Sequence, residues 1–220
     1  MLKYLFYLFS IIKTIYINFR YIEWSKACRL PIAITCTTKI SFKGKVELPE
    51  KVSFAMVRVG FHHVPICNSN DITSLIVEND GLLSFKGGAH IGNGTKIYVA
   101  RNAHLIIGDN FAVSASSAIN CYKSITFGRD VQFSWECLVM DSDTHQIFDK
   151  NGCVINNEHE ISFDDKIWVG CRTLVLKGSH IPSNCVIGAD SLVSGTHYLP
   201  NSIIVGRPAK SVKTIGGWSL

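Results

Sequence analysis

The sequence predicts an all-β solenoid preceded by an N-terminal amphipathic helix. Three observations carry this. Aliphatic residues recur at intervals of six, small and turn-forming residues fall between them, and the first segment differs from the rest in composition and charge. A period of six is neither the 3.6 of a helix nor the 2 of a strand. It suits a flat-sided prism with one inward aliphatic residue per short strand and small residues at the corners.

The 220 residues are enough for one domain with an appendage, and an apolar content of 47% supports a large core. Two units follow: a membrane-associated amphipathic segment over residues 1–30 and the solenoid over 31–215. Residues 1–51 hold nine Lys/Arg against three Glu, a net +6. The remainder holds thirteen basic against fourteen acidic residues, a net −1. The cations do not interleave with aromatics in a groove-like pattern, so no nucleic-acid partner is expected. Eight cysteines without a CxxC pair read as reduced, mostly buried thiols of a cytosolic protein.

In MLKYLFYLFSIIKTIYINFRYI the longest uncharged run covers residues 4–12. That is too short to span a bilayer, which takes about 20 residues. No small-residue cleavage site follows it. On a helical wheel Lys3, Ser10, Lys13, Thr14, Asn18 and Arg20 share one arc, opposite Leu5, Leu8, Phe9, Ile12, Ile15, Tyr16 and Phe19. The pattern predicts a helix lying at a membrane surface with its cations toward anionic headgroups. A helix packed on the protein's own body or at an oligomer contact is the alternative.

The repeat follows. Ile34, Ile40, Val46 and Val52 stand six apart, as do Phe85, Ile91 and Ile97. So do Ile107, Val113, Ile119, Ile125, Val131 and Cys137, and the series from Phe163 through Val169, Val175, Ile181, Ile187 and Val193 to Leu199. Between Cys137 and Phe163 the register slips by two. The polar DSDTHQIFDKNGCVINNEHE therefore leaves the wall as an excursion at about 140–162. GFHHVPICNSND (60–71) marks a second one.

IWVGCRTLVLKG (167–178), CVIGADSLVSG (185–195) and IIVGRPAK (203–210) resemble the C-terminal coils of the hexapeptide-repeat acyltransferases, in particular bacterial capsule and O-antigen sugar O-acetyltransferases. The resemblance covers about residues 31–215. It implies a left-handed parallel β-helix, a homotrimer, and acetyl-CoA as acyl donor held in a groove between subunits.

VMDSDTHQIFD (139–149) is the candidate for chemistry. A DxDxH triplet could bind a cation, but alternate residues of a strand project along a line and do not converge. No second ligand cluster is evident, so no metal is expected. Acyl transfer to a hydroxyl needs a proton removed as the oxygen attacks, and an imidazole suits that task at neutral pH. The resemblance makes His145 this general base, with Asp143 or Asp141 orienting it. Cys137 and Cys153 flank the loop. Cys137 reads as an inward core residue, so direct transfer is expected without a thioester on the protein.

On the donor side the resemblance assigns the VGC turn, Gly170 and Cys171, with the Cys171 N–H as oxyanion donor. Ala189 and Ser194 would meet the pantetheine arm, and Trp168 would line the tunnel near the thioester. Gly195 stands where many relatives have Lys or Arg. Phosphate recognition then rests on Arg207, Lys210 and Lys213. Asp141 and Trp135 are candidate acceptor contacts, Trp135 as a platform for a sugar ring.

The implied function is O-acetylation of a sugar hydroxyl on a surface polysaccharide or its lipid-linked precursor. The implied location is the cytoplasmic face of the bacterial membrane. N-acetylation of a nucleotide-linked amino sugar and a non-catalytic β-helix scaffold are the alternatives.

Overall fold

The computed structural model describes residues 2–61, 64–67 and 71–219. Helix α1 (Leu2–Tyr21) and the short helix α2 (Trp24–Ala27) precede an entirely β body. Its strands form three parallel sheets, one per face of a triangular prism. The first face runs from Ile32–Ile34 through Val57–Val59, Ala89–Ile91, Phe111–Val113, Val131–Phe133, Ile167–Val169 and Val186–Ile187 to Ser202–Gly206. The second runs from Lys39–Phe42 to Leu192–Val193, and the third from Lys45–Glu47 to His180–Ile181. This is the left-handed parallel β-helix that the resemblance implies.

Short strands pair because each coil lies directly on the next. Val169 pairs with Ile187 eighteen residues on, and Val175 with Val193 likewise. Earlier coils are longer: Ile91 pairs with Val113, 22 residues on, and Val113 with Phe133, 20 on. The six-residue phase of 107–137 hides this slip. Each face carries two inward positions, i and i+2, so a two-residue insertion at a corner lands on the other one. Phe111 and Val113 are both buried, as are Val131 and Phe133. At the end of the series Leu199 departs from expectation and is 63% exposed. The third face has ended at His180–Ile181, so no wall remains for it to line.

Inside the prism Phe111, Phe127, Phe133 and Phe163 form one aromatic cluster with ring centroids 4.9–5.9 Å apart. Many corners fall on Asn or Asp with positive φ, among them Asn102, Asn110, Asp130, Asn184 and Asp190. These are the side chains that best tolerate the left-handed region. Gly170 is required by a close approach, since a Cβ there would stand 2.6 Å from the Ala189 amide nitrogen. All eight cysteines are free. Cys121, Cys137 and Cys185 are buried, whereas Cys28 and Cys153 are exposed, so the expectation of mostly buried thiols holds for only part of the set.

The first strand has an open edge, and α1 closes it with its polar arc. Ser10 Oγ accepts from Cys36 N (2.9 Å), and Thr14 Oγ1 accepts from Ile34 N (3.0 Å). Asn18 accepts from Ile32 N (3.1 Å) and donates to Ile32 O (2.7 Å). Four residues of helix advance about 6.0 Å and two of strand about 6.6 Å, so alternate strand residues meet every fourth helix residue. Ser10, Thr14 and Asn18 are buried, while the opposite face, with Phe9, Ile12 and Tyr16, is more than half exposed. The expected orientation is thereby corrected. Lys13 does not face outward as a headgroup contact; its ammonium donates to Cys36 O (2.9 Å) and to Thr38 O. The side chain of Lys3 lies outside the described residues, as do residues 62, 63 and 68–70 of the predicted 60–71 excursion.

Asn18→Ala leaves the buried Ile32 N–H and C=O without partners. It should cost about 1–3 kcal/mol in urea unfolding, whereas Ile12→Ala on the exposed face should cost well under 1 kcal/mol.

Candidate functional site

The excursion leaves the second face after Leu138–Met140 and returns at Ile161–Phe163 on the third. Its root is Asp141. This residue is fully buried, and its carboxylate accepts from three consecutive amides of the coil beneath: Tyr122 N (2.7 Å), Lys123 N (2.9 Å) and Ser124 N (2.8 Å). The carboxylate is wholly engaged at that corner. Asp141 is therefore neither an acceptor contact nor the orienting partner of His145, contrary to both expectations.

The tip is a small hairpin. Phe148 bridges Val154, Ile155 N donates to Ile147 O (2.9 Å), and Asp149 Oδ1 accepts from Asn151 N and Cys153 N around the Lys150-Asn151-Gly152 turn. Between root and tip, residues 142–146, 148, 154 and 156–158 line an open cleft of about 650 Å³. A cleft of that size suits a small ligand. His145 stands exposed on it, and among the described residues its imidazole forms no hydrogen bond.

Asp143 does not touch the His145 ring. Its Oδ2 accepts from Lys177 Nζ (2.6 Å) and from Asn156 Nδ2 (2.8 Å). Asn156 links the two residues: its amide also donates to His145 O (2.8 Å) and accepts from Ile147 N (2.7 Å). That last bond identifies the amide oxygen. Lys177 Nζ closes the latch on Asn156 O (2.7 Å). Asp143 thus acts on the His145 backbone through Asn156, where a direct carboxylate–imidazole contact was expected. The Lys177 bond, and then the Asn156 bond, hold its carboxyl below the usual range.

The donor residues lie elsewhere. Cys171 stands at the corner between first and second faces, as does Trp135, whose carbonyl accepts from Arg172 N (3.0 Å). Trp135 therefore sits beside the Cys171 turn, across the second face from His145. Among the described residues the Cys171 N–H meets no backbone acceptor, while its carbonyl accepts from Asp190 N (2.9 Å). Gly170 packs on Ala189 at the same corner, and Ala189 is exposed. Ser194 is exposed at the opposite corner, one coil beyond the Lys177 level. Arg207 pairs with Asp190 (3.0 Å), whereas Lys210 and Lys213, on the terminal strand Ala209–Thr214, are exposed and without ion pairs among the described residues. Trp168 is 44% exposed on the outer first face, with its indole N–H on Ser134 Oγ (3.3 Å) and its ring 6.3 Å from Trp218. Cys137 is buried, which pushes its thiol up to about 12 and leaves it protonated and inert.

Sequence reasoning missed Asn156, Lys177 and Trp218. Lys177 had a signal, being the first outward residue after the strand that stacks on Leu138–Met140. Asn156 had none, because only the hairpin's closure brings it back to Asp143. Among the described residues no group of three His, Cys, Asp or Glu could hold a metal ion.

No family model matches the chain. It is 34% identical over 130 residues to a probable acetyltransferase of Mycobacterium tuberculosis, covering 56% of this chain and 41% of that protein. It is 26% identical over 148 residues to Escherichia coli K12 WbbJ, whose name provisionally assigns it O-acetyl transfer in lipopolysaccharide biosynthesis; this covers 62% of this chain and 74% of WbbJ. Among solved structures, the polysialic-acid-specific acetyltransferase NeuO matches with a TM-score of 0.62 at 23% identity, over 86% of this chain and 89% of NeuO. The chain thus spans less than half of the first relative and about three quarters of the second. Both relatives are named as acetyltransferases, and the likeness to NeuO shows a shared fold.

The Asp143 latch carries a pH signature. A depressed carboxyl stabilises above its unfolded pKa of about 3.9, and the contribution is lost as pH falls through the lower folded value. Limited proteolysis of residues 147–155 should therefore stay slow as pH falls through 4 and accelerate below it. Lys177→Met should make cleavage fast throughout.

Proposed function

We propose that the protein is an acetyl-CoA-dependent O-acetyltransferase acting on a sugar hydroxyl of a surface polysaccharide or its lipid-linked precursor. The observation that carries this is His145, exposed and unpaired on an open polar cleft that a rigid β-helix holds away from its wall. Similarity to acetyltransferases, one of them named for lipopolysaccharide biosynthesis, supports the chemistry and the substrate class. The C-terminal coil motifs support coenzyme A as the carrier.

In this reading the acceptor hydroxyl oxygen attacks the thioester carbonyl carbon while the His145 imidazole takes its proton. A C–O bond forms and the carbonyl becomes an oxyanion, which accepts from the free Cys171 N–H. Collapse breaks the C–S bond, and the imidazolium returns its proton to the departing thiolate. Asp143 serves by holding the loop through Asn156. Trp168 and Ala189 border the donor channel, and Lys210 and Lys213 meet phosphate.

His145 and Cys171 of one chain stand on opposite sides of the second face. Three strand residues alone span about 10 Å there, so one chain does not bring the two groups together. A neighbouring copy supplies the missing half, which supports a closed homotrimer with shared sites. The exposed apolar side chains Ile147, Phe148 and Ile155 on the hairpin fit such a contact. The chain divides at about residue 30 into an attachment segment and the catalytic β-helix. Among the described residues no helix is long and apolar enough to cross a membrane.

His145→Ala should lower turnover by about 10²–10⁴ in a thiol-release assay and leave coenzyme A titration unchanged. Near-normal turnover would reject the histidine base. Mild alkali should strip the acetyl group from the product as an ester; an alkali-stable amide would favour the N-acyltransferase alternative.

A further inference from the structure

The face that α1 turns to solvent is the one a surface helix ordinarily keeps polar. Leu5, Leu8, Phe9, Ile12, Tyr16 and Phe19 are each 42–59% exposed. The sequence does not lack polar residues for this helix. It spends them on the buried side, where Ser10, Thr14 and Asn18 close the first strand. An apolar face left outward by that arrangement needs a cover.

We propose that this face docks on an anionic lipid bilayer with the prism standing upright on its N-terminal end. Two observations favour lipid over protein as the occupant. The first is charge. Residues 1–51 carry a net +6, with Arg20 exposed on α1 and Arg29 exposed just after α2, while the rest of the chain is near neutral. The second is the rim. Trp24 is 73% exposed with its ring 5.0 Å from Phe19, and Tyr4, Tyr7 and Tyr16 are exposed along α1. Aromatic rings with polar tips favour the headgroup level of a bilayer.

The orientation follows from the hydrogen bonds. In a β-helix the backbone N–H and C=O groups point along the prism axis, from coil to coil. α1 bonds the free edge of Ile32–Ile34, so it lies across the end of the prism, and its opposite face points outward along that axis. A bilayer on that face lies perpendicular to the axis. The excursion leaves the fifth strand of the second face, four steps above the first. At about 4.8 Å per step and about 10 Å for the helix layer, the His145 cleft stands about 30 Å above the bilayer. In a closed trimer the three helices would lie at one end and meet one plane. Resting on the transferase reading, this height selects acceptor sugars remote from the lipid anchor over the sugar joined to it.

The test uses the full-length protein and vesicles of phosphatidylglycerol and phosphatidylcholine. Wild type should sediment with them, less at high salt and less with phosphatidylcholine alone. Ile12→Glu combined with Tyr16→Glu should cut the bound fraction at least tenfold without moving the urea midpoint. Dyes on the exposed Cys28 and Cys153, each in a variant lacking the other cysteines, should report the height. Energy transfer to a headgroup-labelled lipid should be strong from Cys28 and weak from Cys153. Equal transfer from both would overturn the upright orientation. Failure of wild type to bind vesicles, with self-association that Ile12→Glu abolishes, would assign the face to a second copy instead. Neither readout needs turnover, so failed docking would leave the transferase reading to its own assay.

Discussion

Everything in this molecule hangs on one ladder of backbone hydrogen bonds that runs along the prism axis. Each coil satisfies the one below and is satisfied by the one above, so only the two ends are left with free amides and carbonyls. A β-helix solves its edge problem at those ends or not at all. At the C-terminal end the first face is closed by its own chain, which turns back through Gly206-Arg207-Pro208 into the antiparallel strand Ala209–Thr214. At the N-terminal end a helix does the work. Its Ser, Thr and Asn side chains stand in for the backbone of a missing coil, and the near-match between two strand residues and four helix residues makes the substitution possible.

That use of the polar stripe sets the character of the outer surface. A helix has two faces, and here the hydrogen-bonding one is committed to the body. The apolar one is then outward by geometry, over the most basic part of the chain. The same amphipathic pattern that reads as a membrane helix in isolation also reads as a cap. The structure uses the polar half for the cap and leaves the apolar half available. These roles do not compete, because they belong to opposite sides of the cylinder.

The prism was legible in the sequence because its period is enforced by burial. An inward aliphatic residue every sixth position cannot be lost without leaving a void in a closely packed column. Coil length was not legible. Val113 and Val131 stand in perfect six-residue phase, yet the partner of Val113 is Phe133, because a two-residue slip at a corner exchanges one inward position for another. The excursion was legible as a break in phase and a run of polar residues, and His145 as the imidazole in it that the resemblance singles out. Which carboxylate served it was not. Asp141, Asp143 and His145 alternate along the chain, and nothing in that spacing says that the first is buried under a corner while the third is exposed. Asn156 and Lys177 come from 13 and 34 residues beyond Asp143, and contacts of that range depend on how the hairpin closes.

The short stretch from Asp141 to His145 therefore separates three tasks that its acidic look conflates. Asp141 is structural: three amides of the lower coil converge on it, and its loss would unroot the loop from the wall. Asp143 is positional: with Lys177 and Asn156 it ties the loop to the coil above and holds the His145 backbone through one amide group. Among the described residues the His145 imidazole is left without a hydrogen-bonded partner. A residue meant to hold structure would have been given one, as its two acidic neighbours were. An imidazole kept exposed on a loop this firmly anchored is what the proposed transfer asks of a base, and the Cys171 corner stands across the second face from it. In the proposed reading a second copy brings that corner to it.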